Sequence, residues 1–182
     1  METDSQKIKR IIIPENSLEE KICLDSEFIE GAMWGFPRSG HPEGNVIYHI
    51  GEVLKNVDKY GNKTNREKLR LISIMHDTFK NQINRDLPRE GDNDHGMKAR
   101  RFAERYLNYN DVLEILELHD KAYLCWKKGN KGNWSEAYKR AKELIKRLDS
   151  SLDLYLTFYR CDNETGNKER ENFRWFHNVA MP

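Results

Sequence analysis

Apolar residues recur three and four positions apart through most of the chain, a spacing that places them on one face of an α-helix. The pattern is clear in five segments, residues 46–60, 66–80, 95–107, 111–126 and 134–162. A shorter stripe of the same kind follows Ser17. Glycine and proline crowd residues 35–45, and residues 81–94 are polar, so both stretches are predicted to be loops.

These segments predict an all-α fold, a single compact bundle of about six main helices in short-looped succession. Residues 1–40 are expected to form an N-terminal extension packing on the core, residues 41–167 the main domain and residues 168–182 a C-terminal tail. Within the extension, the segment KIKRIIIP is the one stretch with the alternation of a β-strand.

Composition narrows the classes of partner. The 182-residue chain has 31 basic and 30 acidic side chains, so its formal net charge of +1 gives no overall attraction to nucleic acid or to an anionic membrane. No apolar run approaches the roughly 20 residues of a membrane span, and the polar start lacks the apolar core of a signal peptide. The three cysteines form no CxxC pair, which favours a reducing, cytoplasmic location. The aromatic tail around Trp175 is compatible with docking on the body or on a second copy in a homodimer.

Two His-Asp pairs stand where the helical pattern is strongest: His76-Asp77 in LISIMHDTFK and His119-Asp120 in LELHDK. Adjacent helical residues point about 100° apart, so an imidazole and a carboxylate can approach one point from different sides. That combination of nitrogen and oxygen suits a divalent metal ion of intermediate softness.

Two ligands alone hold a metal ion poorly, so further ligands are needed from other helices. His49 on the preceding helix and Asp162 on a late helix can complete a mixed nitrogen and oxygen site with open positions for water. The lack of cysteine ligands argues against a closed structural zinc site, and a site with open positions can generate hydroxide at neutral pH. Ordinary buried histidines are an equally good interpretation of the spacing by itself.

Four segments resemble the HD superfamily of metal-dependent phosphohydrolases. The segment IMHDTFK resembles the LLHDIGK-type signature of that family, and HPEGNVIYHIGEVL (41–54) is similar to the entry segment of HD domains, particularly those of bacterial tRNA nucleotidyltransferases. The segments DNDHGMKARRFAERYL (92–107) and LYLTFYRCDNETGN (154–167) resemble two later motifs. The resemblance covers roughly residues 41–167, the main domain, which it identifies as an HD domain.

The resemblance implies that four residues ligate a metal ion: His49, His76, Asp77 and Asp162. It also implies that Asp77 bridges to a second ion where one is present, and that His95 and His119 serve this second ion. The implied cofactor is therefore one or two divalent ions, drawn from Mn, Mg, Fe, Co, Ni and Zn.

The resemblance further implies that Lys80 faces the substrate phosphate, where an ammonium group offsets developing negative charge. The chain departs from the family pattern at Thr78 and Phe79, where the family has Ile and Gly, and the spacing after His95 is shortened. Asp120 falls where the family has only a lone histidine, so we expect it to be a surface residue or a neighbour of the ligands.

Loops beside the expected site supply candidate substrate contacts: Lys80, Arg38, Arg89 and Glu43. An arginine there can hold phosphate bidentately, and Glu43 can orient a water molecule or His49. Tyr123, Trp126 and Trp134 flank the basic segment KKGNKGN and can stack on a base. Core aromatics and ordinary solvated charges are the alternative interpretation of these residues.

Together these features predict a metal-dependent phosphohydrolase that cleaves a phosphate ester of a nucleotide or a related small phosphorylated molecule through a metal-activated water, with Asp77 and Lys80 as catalytic residues. Both a phosphomonoesterase, such as a nucleotidase, and a phosphodiesterase are compatible with this apparatus. A nucleic-acid substrate has no support from the net charge. Two alternatives stay open: an HD-fold di-iron oxygenase, and a nucleotide-binding module with a degenerate HD site.

Overall fold

The computed structural model describes residues 2–37, 42 and 44–181, and in these residues every regular element is a helix. The α-helices are α1 (Asp4–Ile12), α2 (Ser17–Leu24), α3 (Ser26–Met33), α4 (Val46–Tyr60), α5 (Arg66–Met75), α6 (His95–Ala103), α7 (Asn110–Leu118), α8 (Lys121–Asn130), α9 (Trp134–Leu148), α10 (Leu152–Asn163) and α11 (Glu171–Ala180). Short 3₁₀ segments cover Thr78–Gln82, Gly91–Asn93 and Asp149–Ser151. The predicted all-α class is confirmed.

The described helices outnumber the six main helices expected because several predicted segments are divided. The segment 66–80 leaves α-helical geometry after Met75, and the segment 111–126 is divided between α7 and α8. Both interruptions fall at the His-Asp pairs, where residues 76–77 and 119–120 form turns. The two pairs therefore lie at helix ends and not within helix faces.

The strand-like interpretation of KIKRIIIP is wrong, because residues 4–12 form α1. Ile8 and Ile12 lie one helical turn apart and are both buried, so burial with a period of four prevails over the local alternation. Thr3 begins the helix with a capping box, in which its side chain accepts from the amide of Gln6 and the Gln6 side chain accepts from the amide of Thr3.

The hydrophobic core lies where α4, α5 and α10 pack against one another. Ile47, Ile50 and Val53 of α4 are fully buried, as is Ile72 of α5, and Phe158 of α10 is 1% exposed. Helices α6 and α7 form one neighbouring pair and α8 and α9 another, while α11 packs on α8, α9 and α10. The centre of the fold therefore consists of α5, which leads to the first His-Asp pair, and of α4 and α10, which pack against it.

Helices α1 to α3 pack on this centre and are joined to α5 by a buried ion pair. The guanidinium of Arg70 donates from Nε to Glu19 Oε1 over 2.9 Å and from Nη2 to Glu19 Oε2 over 2.8 Å. Glu19 is fully buried and Arg70 is 4% exposed. The same guanidinium donates to the carbonyl groups of Ile12 and Ile13 at the end of α1.

The C-terminal helix α11 docks on the body of the protein. Phe176 is fully buried and contacts the rings of Tyr155 and Tyr159 on α10. Trp175 lies 5.7 Å, between ring centroids, from Trp134 at the start of α9. No helix among the described residues combines the length and the apolar character needed to cross a bilayer.

Candidate metal centre

Six side chains with nitrogen or carboxylate donors converge beside the core from five elements. They are His49 in α4, His76 and Asp77 after α5, His95 at the start of α6, His119 after α7 and Asp162 in α10. The four histidines are between 1% and 5% exposed and Asp77 is 5% exposed. Every residue that the resemblance implies as a ligand therefore lies in this one cluster.

The first part of the cluster joins His49, His76, Asp77 and Asp162. The two Nε2 atoms of His49 and His76 lie 3.2 Å apart. Asp77 Oδ2 lies 3.7 Å from each of them, and Asp162 Oδ1 lies 2.9 Å from His49 Nε2 and 3.7 Å from His76 Nε2. Two imidazole nitrogens and two carboxylate oxygens thus face a common point.

The second part shares Asp77 with the first and adds His95 and His119. The Nε2 atoms of His95 and His119 lie 3.0 Å apart. Asp77 Oδ1 lies 3.6 Å from the first nitrogen and 3.4 Å from the second. Because Asp77 directs one oxygen to each pair of histidines, it is placed as a bridge between two groups of potential ligands.

The ends of two helices fix the orientation of two of the rings. His76 Nδ1 lies 2.9 Å from the carbonyl oxygen of Ser73, and His119 Nδ1 lies 2.9 Å from the carbonyl oxygen of Leu116. A carbonyl only accepts, so Nδ1 carries a proton and Nε2 is the ring nitrogen that faces the cluster. The last carbonyls of a helix lack intrahelical partners, which is why a histidine just after the helix end can bind one.

The separations of the donor atoms fit a divalent ion. Two nitrogens about 2.1 Å from one ion lie about 3.0–3.4 Å apart when the angle between them is between octahedral and tetrahedral. The two histidine pairs have separations of 3.2 Å and 3.0 Å. In the described part of the chain, no cysteine belongs to either ligand group, which agrees with the chemistry of an open rather than a closed structural site.

Two lysines balance the carboxylates of the cluster. Lys80 Nζ lies 2.5 Å from Asp77 Oδ2, and Lys168 Nζ lies 2.8 Å from Asp162 Oδ1. Burial by itself raises the pKa of Asp77, but Lys80 and the surrounding histidines outweigh it and hold this pKa well below the usual range. At Asp162, Lys168 and His49 outweigh burial in the same way and lower the pKa of the carboxylate well below the usual range. Both carboxylates are therefore ionised, as metal ligands must be.

The histidines differ in how readily they take up a proton. Burial lowers the pKa of His49 to about 4, and it also lowers the pKa of His95. Burial alone would lower the pKa of His119 as well, but the carboxylates of Asp120 and Asp77 outweigh it and raise this pKa. His49, in the first part of the cluster, therefore stays neutral to a lower pH than His119 does in the second part.

A cavity of about 450 Å³ opens beside the cluster. Asp77 and Asp162 form part of its wall, and Lys80, Lys168 and Arg89 also line it. Cations next to the presumed ligands are suited to an anionic molecule. Arg89 thus lies where the sequence predicts it, whereas Arg38 and Glu43 lie outside the described residues.

The aromatic residues of the cavity are only part of the predicted set. Tyr123 and Trp126 of α8 line the wall, with ring centroids 6.1 Å apart and planes inclined by 29°. Trp134 packs instead against Tyr138 and Trp175. A larger cavity, of about 700 Å³, lies between α1 and α4 and is lined by no member of the cluster.

Lys168 was not predicted from the sequence, whereas Asp120 is a partly exposed neighbour of the presumed ligands, as expected. Asp120 Oδ2 lies 3.4 Å from His95 Nε2, and its side chain is 37% exposed at the wall of the cavity. Its neighbour His119 was the available signal, since both follow the same helix end. Lys168 gave no comparable signal, because it follows the last motif in a polar loop.

Residues 46–151 match the family model of the HD domain. This match covers more than half of the chain, so the chain belongs to the HD domain family, whose members are generally metal-dependent hydrolases. The matched range contains His49, His76, Asp77, His95 and His119, whereas Asp162 lies beyond it. The match is to HD domains in general, so the likeness to tRNA nucleotidyltransferases stays a prediction. Comparison with curated proteins and with solved structures gives no significant match.

Proposed function

We propose that this protein is a metal-dependent phosphohydrolase that cleaves a phosphate ester of a nucleotide or of a related small phosphorylated molecule. The observation that carries the proposal is the convergence of four histidines and two aspartates beside a cavity that is also lined by Lys80. Membership of the HD domain family supports the hydrolytic class of reaction. The specific ester is inferred from the chemistry of the cavity.

The ligand roles follow from the two parts of the cluster. In the proposal, His49, His76, Asp77 and Asp162 hold one divalent ion, and His95 and His119 share Asp77 with a second ion where one binds. An ion held there supplies a Lewis acid for phosphoryl oxygens and lowers the pKa of a water bound to it. Since the Nε2 atoms already face the cluster and the carboxylates are ionised, binding requires little rearrangement of these side chains.

Two residues of the chain act on the reacting groups. The ionised carboxylate of Asp77 accepts a hydrogen bond from the attacking water and so orients its lone pair toward phosphorus. The ammonium of Lys80 donates to a phosphate oxygen, where negative charge increases as the ester bond breaks. Because Lys80 is 23% exposed on its side chain and lines the cavity, it can reach a bound anion.

Phosphate chemistry is favoured over the two alternatives by particular residues. Lys80 and Arg89 give the cavity wall cationic groups that an oxygenase acting on a neutral substrate does not need. All six predicted ligands are present and converge, whereas a degenerate binding module is expected to have lost part of such a set. The rings of Tyr123 and Trp126 support a flat organic group, such as a nucleobase, on the substrate.

The experiment is an activity screen with defined metals. The metal-free protein is loaded in turn with Mn, Mg, Fe, Co, Ni and Zn, and each form is assayed with p-nitrophenyl phosphate, bis(p-nitrophenyl) phosphate and a panel of nucleotides. We expect turnover with at least one metal, and a loss of about 100-fold or more in Asp77→Ala. The matched control is Asp58→Ala, which removes an exposed aspartate paired with Arg66 and should keep full activity.

Three results contradict the proposal in different ways. No turnover with any metal and any of these esters excludes the hydrolase within the tested substrates. Oxygen consumption with iron, without phosphate release, assigns the site to an oxygenase. Binding of a nucleotide at equilibrium without turnover assigns it to a binding module.

A further inference from the structure

We propose that Lys168 is a second phosphate-binding residue of this site, and that Lys168 and Lys80 together favour a phosphomonoester over a phosphodiester. The inference rests on the proposed phosphohydrolase function and deepens it by naming the class of ester. Lys168 lies beyond the stretch that matches the family model, in the loop between α10 and α11.

Lys168 is held beside the cluster by a single residue. Its Nζ donates to Asp162 Oδ1 over 2.8 Å and to the carbonyl oxygen of Asp162 over 3.1 Å. An ammonium group has three N–H donors, so these two bonds leave one donor for a ligand. The side chain is 19% exposed and lines the same cavity as Lys80.

The two lysines occupy equivalent positions relative to the presumed ligands. Lys80 is paired with Asp77, which both parts of the cluster share, and Lys168 is paired with Asp162, which contacts His49. Each of these two carboxylates therefore has one ammonium group beside it. A phosphate group bound in the cavity beside Asp77 and Asp162 would therefore lie near both ammonium groups.

The loop that carries Lys168 is fixed by hydrogen bonds. Thr165 is 3% exposed, and its Oγ1 donates to the carbonyl oxygen of Asp162 over 2.7 Å. The amide of Gly166 donates to Glu52 Oε2 on α4 over 2.9 Å. Gly166 has a φ of 54°, a conformation that side chains disfavour. The position of Lys168 is thus determined by α4 and α10, as expected of a residue with a role at the site.

The balance of charge favours a dianion. Asp77 and Asp162 carry two negative charges, which Lys80 and Lys168 neutralise, and each divalent ion adds two positive charges. The other charged residues of the cavity wall sum to zero: Arg89, Lys127, Asp120 and Glu169. A phosphomonoester carries about 1.5 to 2 negative charges at neutral pH on three terminal oxygens, whereas a diester carries one charge on two. Only the monoester therefore offers a third terminal oxygen and additional negative charge for Lys168 to bind.

The test compares three variants of the full chain with the wild type. Lys168→Met removes the charge, and Lys168→Arg keeps it. The control Lys68→Met removes another lysine paired with an aspartate, since Lys68 Nζ lies 2.6 Å from Asp111 Oδ2 away from the cavity. For each metal-loaded protein, the metal content, the affinity for inorganic phosphate by titration calorimetry, and kcat/KM for the mono- and bis-p-nitrophenyl esters are measured.

We expect Lys168→Met to bind inorganic phosphate about 10- to 100-fold more weakly than the wild type, the loss expected for one charge-assisted hydrogen bond. Its kcat/KM for the monoester falls by a similar factor, while that for the diester changes by less than about threefold. Lys168→Arg keeps most of the affinity, Lys68→Met keeps all of it, and every variant keeps the wild-type metal content.

Three outcomes overturn the inference. Equal phosphate affinity in wild type and Lys168→Met removes the binding role. Loss of metal from Lys168→Met shows that the residue holds Asp162 in place and does not bind substrate, and equal losses with both esters remove the preference for monoesters. If the wild type hydrolyses neither of these esters nor any nucleotide of the panel, the proposed function fails, and the phosphate titration alone still decides the role of Lys168.

Discussion

The ion pair between Glu19 and Arg70 connects the N-terminal helices to α5, the helix that leads to His76. We predict that Glu19→Ala destabilises the metal-free protein by about 2–4 kcal/mol. Glu19 is fully buried, and both of its oxygens accept from the guanidinium, at 2.9 Å and 2.8 Å. Its removal leaves a nearly buried cation without its principal partner.

The magnitude follows from what remains around Arg70. Breaking a buried ion pair by removing one partner typically costs about 3–5 kcal/mol. Arg70 keeps the carbonyls of Ile12 and Ile13 and the partly exposed carboxylate of Glu15, 3.1 Å from Nη1, so the cost falls toward the lower end of that range. For a domain of this length, 1 kcal/mol shifts Tm by about 2–4 °C. The expected decrease is therefore about 5–15 °C.

Thermal unfolding followed by far-ultraviolet circular dichroism measures this shift. Glu20→Ala is the matched control, because Glu20 is an exposed glutamate on the same helix and its loss should change stability by about 0.5 kcal/mol or less. The double variant Glu19→Ala/Arg70→Met should regain part of the loss, since it leaves no buried charge unpaired. A decrease below about 2 °C in Glu19→Ala, or a double variant no more stable than Glu19→Ala, refutes the reasoning.

Three further predictions concern the metal centre and its support. Asp77→Asn should reduce the content of both ions by at least about tenfold on dialysis, because Asp77 directs an oxygen to each pair of histidines. The control Asp58→Asn should keep its metal content. Metal analysis by mass spectrometry that shows the loss of only one ion contradicts the bridging role. As pH falls from 7.5 to 5, we expect the ion beside His119 to dissociate before the ion beside His49. Neighbouring carboxylates raise the pKa of His119, whereas burial lowers the pKa of His49 to about 4. Simultaneous loss of both ions contradicts this order. Tyr155→Phe should lower the free energy of unfolding in urea by about 1–2 kcal/mol, because the buried hydroxyl donates to the carbonyl of residue 119 over 3.2 Å. An unchanged denaturation midpoint would mean that this hydrogen bond contributes nothing to stability.

The helical class and the approximate helix positions could be predicted because apolar residues with a period near 3.6 mark a buried face. The positions where the helices are interrupted could not be predicted. The stripe of apolar residues continues through Phe79, which is fully buried in the 3₁₀ segment after α5. A hydrophobic pattern records which residues are buried and does not record where the last α-helical hydrogen bond forms. The capture of helix-end carbonyls by His76 and His119 is therefore visible only in three dimensions.

The candidate ligands could be listed from the sequence because the motifs fix their order along the chain, and the structure brings all six together. Their role as ligands remains a prediction. Lys168 could not be predicted from the sequence because a loop residue has no periodicity. Its position depends on a hydrogen bond from the amide of Gly166 to Glu52, which lies more than 100 positions earlier in the chain. Asp120 could be placed beside the ligands because it follows His119 directly in the chain.

The most direct test of the central claim is anomalous diffraction from crystals of the metal-loaded protein, with data collected on either side of the absorption edge of the metal. The account predicts one strong peak within about 2.0–2.6 Å of donor atoms of His49, His76, Asp77 and Asp162. Where a second ion binds, it predicts another peak between Asp77, His95 and His119. A metal-saturated crystal with no peak at either position, or with its peaks elsewhere on the protein, would contradict the assignment of this cluster as a metal centre.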